Sequence, residues 1–282
     1  MQKRGKTLPE LPEVETVRRT LMTLVLNKEI QSVSVFWPKM VKRPVDVEQF
    51  QDALQGQTIR DIGRRGKFLI FYTDDFALVS HLRMEGKYRL HSKEDLLEKH
   101  THVIFHFKDR TELRYKDVRK FGTFHLYSKG TEFTDSPLSK LGPEPFSEQF
   151  TETLLAEKLA KTTRKIKSAL LDQAVVVGLG NIYVDEALFR AGIHPERVAT
   201  SITSQEVATL YQEIVATLSE AVAKGGSTIR SYLNSQGEMG MFQLELYVYD
   251  RKGDPCKRCR TTLEKTKVGG RGTHYCPICQ KR

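Results

Sequence analysis

CKRCRTTLEKTKVGGRGTHYCPIC, residues 256–279, holds all four cysteines of the chain, as Cys256-x-x-Cys259 and Cys276-x-x-Cys279. Sixteen residues, 260–275, lie between the pairs. Each CxxC turn presents two thiolates, and a hairpin between the turns closes a tetrahedral site suited to zinc. Disulfides compete with this reading only outside a reducing compartment, and a redox CxxC needs no second pair at this distance. Four thiolates complete the coordination shell, so the ion is expected to hold the hairpin rigid and to do no chemistry. GGRG (269–272) at the hairpin tip projects Arg271 between glycines, which suits either a solvated tip residue or a phosphate contact.

Working back from the hairpin, the chain reads as helices. Thr203-x-x-Glu206 is a capping box, followed by Val207, Leu210, Ile214, Leu218 and Val222 along one face until Gly225 and Gly226 stop the helix. Further helical stretches are expected at 151–160, 164–172 and 181–191. The 225–240 loop carries four glycines and little packing content, so it reads either as a mobile connection or as backbone able to close over a ligand. Upstream, LGPEPFSEQF (141–150) has two prolines, a glycine and no periodicity, which marks a domain boundary.

Before that boundary, between about Gln31 and Tyr127, the texture is of short β-rich runs: FLIFY (68–72), FALVSHL (76–82), HVIFHF (102–107) and FGTFHLY (121–127). Such runs, separated by turn residues, predict a sandwich or barrel. The segment from Leu11 predicts an amphipathic helix packed against it, with Val14, Val17, Leu21 and Leu24 at helical spacing, ending near Asn27.

Lys plus Arg outnumber Asp plus Glu by 45 to 35 in 282 residues, a formal charge of +10, so polyanions are the first partners to consider. No apolar run approaches the ~20 residues of a membrane span, and Met1–Leu8 lacks the apolar stretch of a secretory signal. A cytoplasmic protein is the expectation.

PELPEVETVRR (9–19), VGLGNIYVDEALFRAGIHP (177–195) and the paired CxxC turns together resemble the formamidopyrimidine-DNA glycosylase family, bacterial repair enzymes for oxidised purines. The resemblance covers Pro9 to Lys281. It implies an α+β fold: an N-terminal β-sandwich with a packed helix over 9–140, a linker at 141–150, a helical helix-two-turn-helix domain with a lesion-capping loop over 151–240, and a zinc-finger β-hairpin over 245–282. It also implies a monomer that grips double-stranded DNA between its domains, acts in the bacterial cytoplasm at the nucleoid, and holds one structural Zn2+ on Cys256, Cys259, Cys276 and Cys279.

The chemistry of base removal gives these motifs meaning, because an amine can trap the sugar C1′ as an iminium ion while the base departs. By resemblance Pro9 is that nucleophile, and Glu10 is the acid/base that assists ring opening. Without the family, PELP reads as an ordinary helix start. Lys67 in RRGKFLI matches the family lysine that serves β-elimination, and Arg271 matches the arginine linked to δ-elimination and phosphate binding. Asn181 matches a phosphate-binding amide and also suits a helix cap. Arg164, Lys165 and Lys167 add charge that serves DNA or simply a solvated helix face. Extruding a nucleotide leaves a gap that side chains must fill, and by resemblance Met84, Arg119 and Phe121 form that wedge. His81 and His100 fall where the family places DNA-contacting histidines.

Taken as a whole, the motifs predict a bifunctional glycosylase and AP lyase that removes 8-oxoguanine and formamidopyrimidines and cuts the strand by β,δ-elimination. Two alternatives stand beside it: an endonuclease VIII-type enzyme for oxidised pyrimidines, and a non-catalytic zinc-ribbon damage-binding protein. One feature departs from the family, whose members begin at the proline. Here Met1–Leu8 precedes Pro9, and an internal proline nitrogen is an amide without a nucleophilic lone pair. The expected active polypeptide therefore begins at Pro9.

Overall fold

Val14, Val17, Leu21 and Val25 are all buried, and this i, i+3, i+4 stripe makes Leu11–Val25 a helix, α1. The chain leaves it through Asn27, whose φ of 61° only a few residue types tolerate. The computed structural model describes residues 8–227 and 245–282, and these fall into two compact units whose boundary lies within the first turn of α1. Pro9–Pro12 belong to the C-terminal unit with 141–227 and 245–282, as does the proline-rich 141–150 segment; 13–140 form the other. The glycine-rich loop expected to cap the lesion lies, from 228 on, outside the described residues.

The N-terminal unit is built on two sheets. β1 (Ile30–Val35), β7 (Thr101–Phe107), β8 (Thr111–Lys116) and β6 (Lys87–Ser92) form one, in that spatial order and antiparallel throughout. The other runs β2 (Val41–Arg43), β9 (Thr123–Ser128), β5 (Phe76–His81), β4 (Phe68–Tyr72), β3 (Asp61–Arg65), with only the β2–β9 pair parallel. Their facing side chains, including Val33, Phe105 and Leu113 from the first and Leu69, Phe71 and Phe124 from the second, share one core with Val17 and Leu21 of α1. Alternation along β6 and β8 leaves Lys87, Arg89, Glu112, Arg114 and Lys116 on the opposite face.

A helix, α2 (Val47–Leu54), interrupts the region read from sequence as wholly β-rich. Asp46 caps it by accepting from the Glu48 and Gln49 N–H groups, and Phe50 and Leu54 at i, i+4 enter the core. Those signals are present in the sequence, but eight residues make too short a window for periodicity to stand out.

Tyr115 of β8 fixes two turns. A Cβ at Gly86 or Gly122 would sit 2.1 Å or 1.8 Å from its hydroxyl oxygen, so both glycines lie directly against the ring edge. The 82–86 and 117–122 turns, which carry Met84, Arg119 and Phe121, are thereby seated on one core residue.

The C-terminal unit comprises α3 (Glu152–Ala160), α4 (Ile166–Leu170), α5 (Asn181–Arg190), α6 (Ser204–Ala223) and a hairpin of β10 (Glu264–Val268) and β11 (Arg271–Tyr275). α4 is shorter than the 164–172 expected. α6 begins at the capping box, with both reciprocal bonds of Thr203 and Glu206 formed. Residues 182–189 of α5 are all buried, against α6 on one side and β11 on another. A helix enclosed this way must satisfy its polar side chains internally, and those contacts build the site.

Candidate active site and nucleic-acid interface

Pro9 and Glu10 are both buried, and the Glu10 carboxylate lies at the N-terminus of α5. It accepts from the N–H groups of Gly180 (2.7 Å), Ile182 (2.8 Å) and Tyr183 (3.3 Å), donors that the first turn of a helix leaves without intrahelical partners. Leu11 N–H adds a bond to the Gly178 carbonyl at 3.0 Å. Gly180 permits the approach, because a Cβ there would lie 2.3 Å from Glu10 Cδ. Gly178, at φ 92°, would meet Leu11 in the same way. The two glycines of VGLGN thus exist for Glu10 and Leu11, which places the N-terminal motif and the 177–195 motif in direct contact.

The rest of that motif anchors the zinc hairpin. Asp185 Oδ1 accepts from Lys167 Nζ at 2.6 Å, and Oδ2 accepts from the His274 N–H at 2.8 Å. Lys167 Nζ and Asn181 Nδ2 both donate to the Gly272 carbonyl, at 3.0 and 2.9 Å. Glu186 accepts from three successive N–H groups, those of Tyr247, Val248 and Tyr249, at 2.8–2.9 Å. Burial pushes the Glu186 carboxyl above its ordinary value against those bonds, and burial likewise lowers Lys167 against the pull of Asp185.

Lys167 therefore corrects an expectation. Its side chain is fully enclosed, so it holds the hairpin through Asp185 and Gly272 and is not the surface phosphate contact that its basic neighbours suggest. Asn181 shares that role, binding the carbonyl next to Arg271, while Arg271 itself is exposed. Lys165 and Arg164 are exposed as expected, the latter paired with Asp172 at 3.0 Å.

The four cysteine sulfurs lie within 4.8 Å of one another, with Cys256–Cys279 at 3.9 Å and Cys259–Cys276 at 3.5 Å. A tetrahedral zinc with Zn–S bonds of about 2.3 Å requires sulfurs about 3.8 Å apart, so the donor set and spacing fit. The Arg258 and Cys279 N–H groups donate to the Cys256 and Cys276 sulfurs at 3.4 Å, which steadies thiolates that hold a metal. Arg258 stacks on Phe189 and bonds the Phe189 and Arg190 carbonyls, capping the C-terminus of α5.

In the N-terminal unit, Lys67 sits in the two-residue turn between β3 and β4, made tight by Gly66 at φ 56°. The strand after it pairs Phe68 with His81, which sets Lys67 beside that histidine. His81 is buried; burial, helped by the charges of Arg83 and Lys67, takes its pKa down to about 3, so it is neutral at any physiological pH. Its Nδ1 accepts from the Arg83 N–H at 2.9 Å, which leaves the proton on Nε2 as a donor. His100 is exposed at φ 68°.

Arg119 touches both of the other proposed wedge residues. Arg119 Nη1 lies 2.7 Å from Met84 Sδ, and its guanidinium sits 4.7 Å from the centre of the Phe121 ring, which is half exposed. Asp117, fully buried, holds their loop in shape: its carboxylate accepts from the N–H groups of Arg119, Phe121 and Gly122, each at 2.9 Å. Nothing in the sequence reading singled out Asp117; an acid two residues before a basic and aromatic turn was its only signal.

Comparison with known proteins decides the family. Models of the formamidopyrimidine-DNA glycosylase N-terminal domain, its H2TH domain, and the zinc finger found in FPG and IleRS match residues 8–124, 141–232 and 253–282. The chain belongs to the formamidopyrimidine-DNA glycosylase family. Relatives so named from Bacillus licheniformis and Shouchella clausii are 63% and 65% identical over 275 residues, covering 98% of this chain and 100% of each relative. Among solved structures, Fpg of Lactococcus lactis bound to DNA containing an abasic site is 47% identical at a TM-score of 0.90, and the wild-type enzyme with N7-benzyl-Fapy-dG DNA is 48% identical at 0.91. Each covers 97% of this chain and all of its own.

Family membership makes the protein a DNA glycosylase of DNA repair, with one structural zinc ion in its finger. Against that identity, Asp185, Glu186 and Asp117 are the residues that motif reading missed. Each is a buried carboxylate that binds backbone N–H groups, a role a sequence does not display. Among the described residues no helix is long and apolar enough to cross a membrane.

Proposed function

We propose that the protein is a bifunctional glycosylase and AP lyase for oxidised purines, with Pro9 as nucleophile and Glu10 as its acid/base partner. The observation that carries this reading is the pinning of Glu10, adjacent in the chain to Pro9, by three N–H groups at the α5 terminus. A carboxylate fixed by a helix end loses little freedom on meeting substrate, which is the positioning that acid/base catalysis rewards.

In this mechanism the Pro9 amine attacks C1′ and the base departs as C1′–N breaks, taking a proton from solvent. The Glu10 carboxylate accepts the proton that the attacking nitrogen sheds and delivers it to the ring oxygen as the sugar opens to the iminium ion. Loss of the C2′ proton then expels the 3′ phosphate, and a second elimination expels the 5′ phosphate. Lys67 serves the first elimination. Arg271, exposed beside the carbonyl gripped by Lys167 and Asn181, serves the second and binds phosphate. The attack requires a free amine, so the reacting polypeptide begins at Pro9.

Met84, Arg119 and Phe121 fill the place of the extruded nucleotide, and the contacts of Arg119 with the other two support their acting as one wedge. Neutral His81, Lys165, Arg164, His100 and Asn181 are assigned to the DNA backbone. Incubating the chain that begins at Pro9 with a duplex carrying one 8-oxoguanine tests the reading. Release of the base and a one-nucleotide gap with phosphates on both ends are expected. Binding without base release would leave the non-catalytic reading, and release confined to oxidised pyrimidines would leave the endonuclease VIII type.

A further inference from the structure

The outer face of the four-stranded sheet, opposite the core, carries cations in direct cross-strand opposition: Lys87 faces Lys116, and Arg89 faces Arg114. Like charges in that register destabilise a sheet unless an anion compensates them. Part of the compensation is internal. Arg114 is buried and spends its donors on Glu112 and on the Ser92, Asp95 and Leu96 carbonyls. Lys116 pairs with Glu98, whose carboxyl is held below its usual range by that contact. Arg89 has no carboxylate within ion-pair distance among the described residues.

These side chains, with His91 and Thr101, line a pocket of about 90 Å3 on the edge strand β6. That is several times the roughly 10–15 Å3 one water requires, and it suits one tetrahedral anion. Glu98 is its lone lining carboxylate, against Lys87, Arg89, Arg114 and Lys116.

We propose that this pocket binds one phosphate group of the DNA backbone, as a contact separate from the residues assigned above. The source of the phosphate follows from continuity with the wedge. Lys87 stands three residues after Met84, and Lys116 three residues before Arg119, so at most about 10 Å of chain separates pocket from wedge. That distance is about three base-pair rises, within the duplex that a wedge at the lesion would engage. The inference rests on the wedge assignment proposed above. Glu98, paired with Lys116 at the pocket, is the group with which the phosphate competes.

Binding of the full chain to duplex over a range of salt concentrations tests this, with Arg89→Ala, Glu98→Gln and the parent compared. Arg89→Ala should weaken damaged and undamaged duplex equally, several-fold, and reduce the slope of log affinity against log salt by about 0.9. Glu98→Gln should tighten both. A scan of single methylphosphonate linkages along both strands should find one position, about three nucleotides from the lesion, whose neutralisation costs the parent several-fold and costs Arg89→Ala nothing further.

Unchanged slope and affinity in Arg89→Ala, or no position that couples to it, overturns the proposal. Stabilisation by inorganic phosphate at constant ionic strength, lost in Arg89→Ala without any change in DNA binding, overturns the DNA source in favour of the free ion. Trapping of parent chain begun at Pro9 on lesion DNA, read separately, distinguishes these failures from failure of the glycosylase reading.

Discussion

Replacing Gly180 by Ala tests how the Glu10 carboxylate is held. The backbone at Gly180 is extended, with φ −134°, so alanine brings no strain of its own and the effect is steric. The new Cβ would lie 2.3 Å from Glu10 Cδ and 2.5 Å from Oε1, where ordinary contact begins near 3.4 Å, so the carboxyl must retreat by about 1 Å. That retreat breaks the 2.7 Å bond from the Gly180 N–H and loosens the other two. Misplacement of a catalytic group by about 1 Å costs on the order of a hundredfold in rate, or about 2.7 kcal/mol. Single-turnover excision at saturating lesion duplex should therefore fall about a hundredfold, while affinity for a duplex with an uncleavable abasic analogue changes less than about threefold. A Gly180→Ala protein with the parent's melting temperature and a rate within about threefold of parent would refute the positioning argument.

Three further outcomes follow from other contacts. Lys167→Met strands Asp185 in the interior and should cost about 3–5 kcal/mol in urea unfolding, with part recovered by adding Asp185→Asn; a loss under about 1 kcal/mol contradicts the anchoring role. Burial raises the Glu15 carboxyl, but hydrogen bonds from Arg18 and Arg19 and the charges of Arg18 and Arg64 outweigh it and set it at about 2, against 4.5 in the unfolded chain. Its contribution to stability is therefore complete above about pH 4.5 and disappears as pH falls through about 2, so the stability gap between parent and Glu15→Gln should close over that window and stay constant above it. Metal analysis should find one zinc per chain, and chelation should abolish DNA binding while the near-UV dichroism of the 13–140 sandwich survives; full binding by metal-free protein contradicts this.

Much of the fold is legible where local rules and tertiary contacts agree. FLIFY is a strand over the residues read from sequence, and the Thr203 capping box starts α6 because both of its reciprocal bonds are local. The paired CxxC turns are legible for the same reason, since the spacing alone brings four sulfurs together. Lys167 shows the limit. From its neighbours it reads as one of three basic surface residues, yet it is enclosed because Asp185, eighteen residues away, and Gly272, more than a hundred away, both need its protons. Long-range pairing of this kind leaves no periodic trace. Asp117 is similar: its carboxylate builds the wedge loop through backbone donors, which every residue type but proline supplies. Glu10 and Gly180 were visible as motifs, but their contact was not, and that contact explains why both motifs are needed at once.

The central claim is that the Pro9 nitrogen is the nucleophile, positioned beside Glu10. Borohydride trapping on 8-oxoguanine duplex, followed by peptide mapping of the adduct, tests it most directly. The chain beginning at Pro9 should give a covalent adduct located on Pro9, and a chain verified by mass to retain Met1–Leu8 should bind the same duplex and give none. An adduct mapped to Lys67, or equal trapping by the chain of 282 residues, would contradict the account.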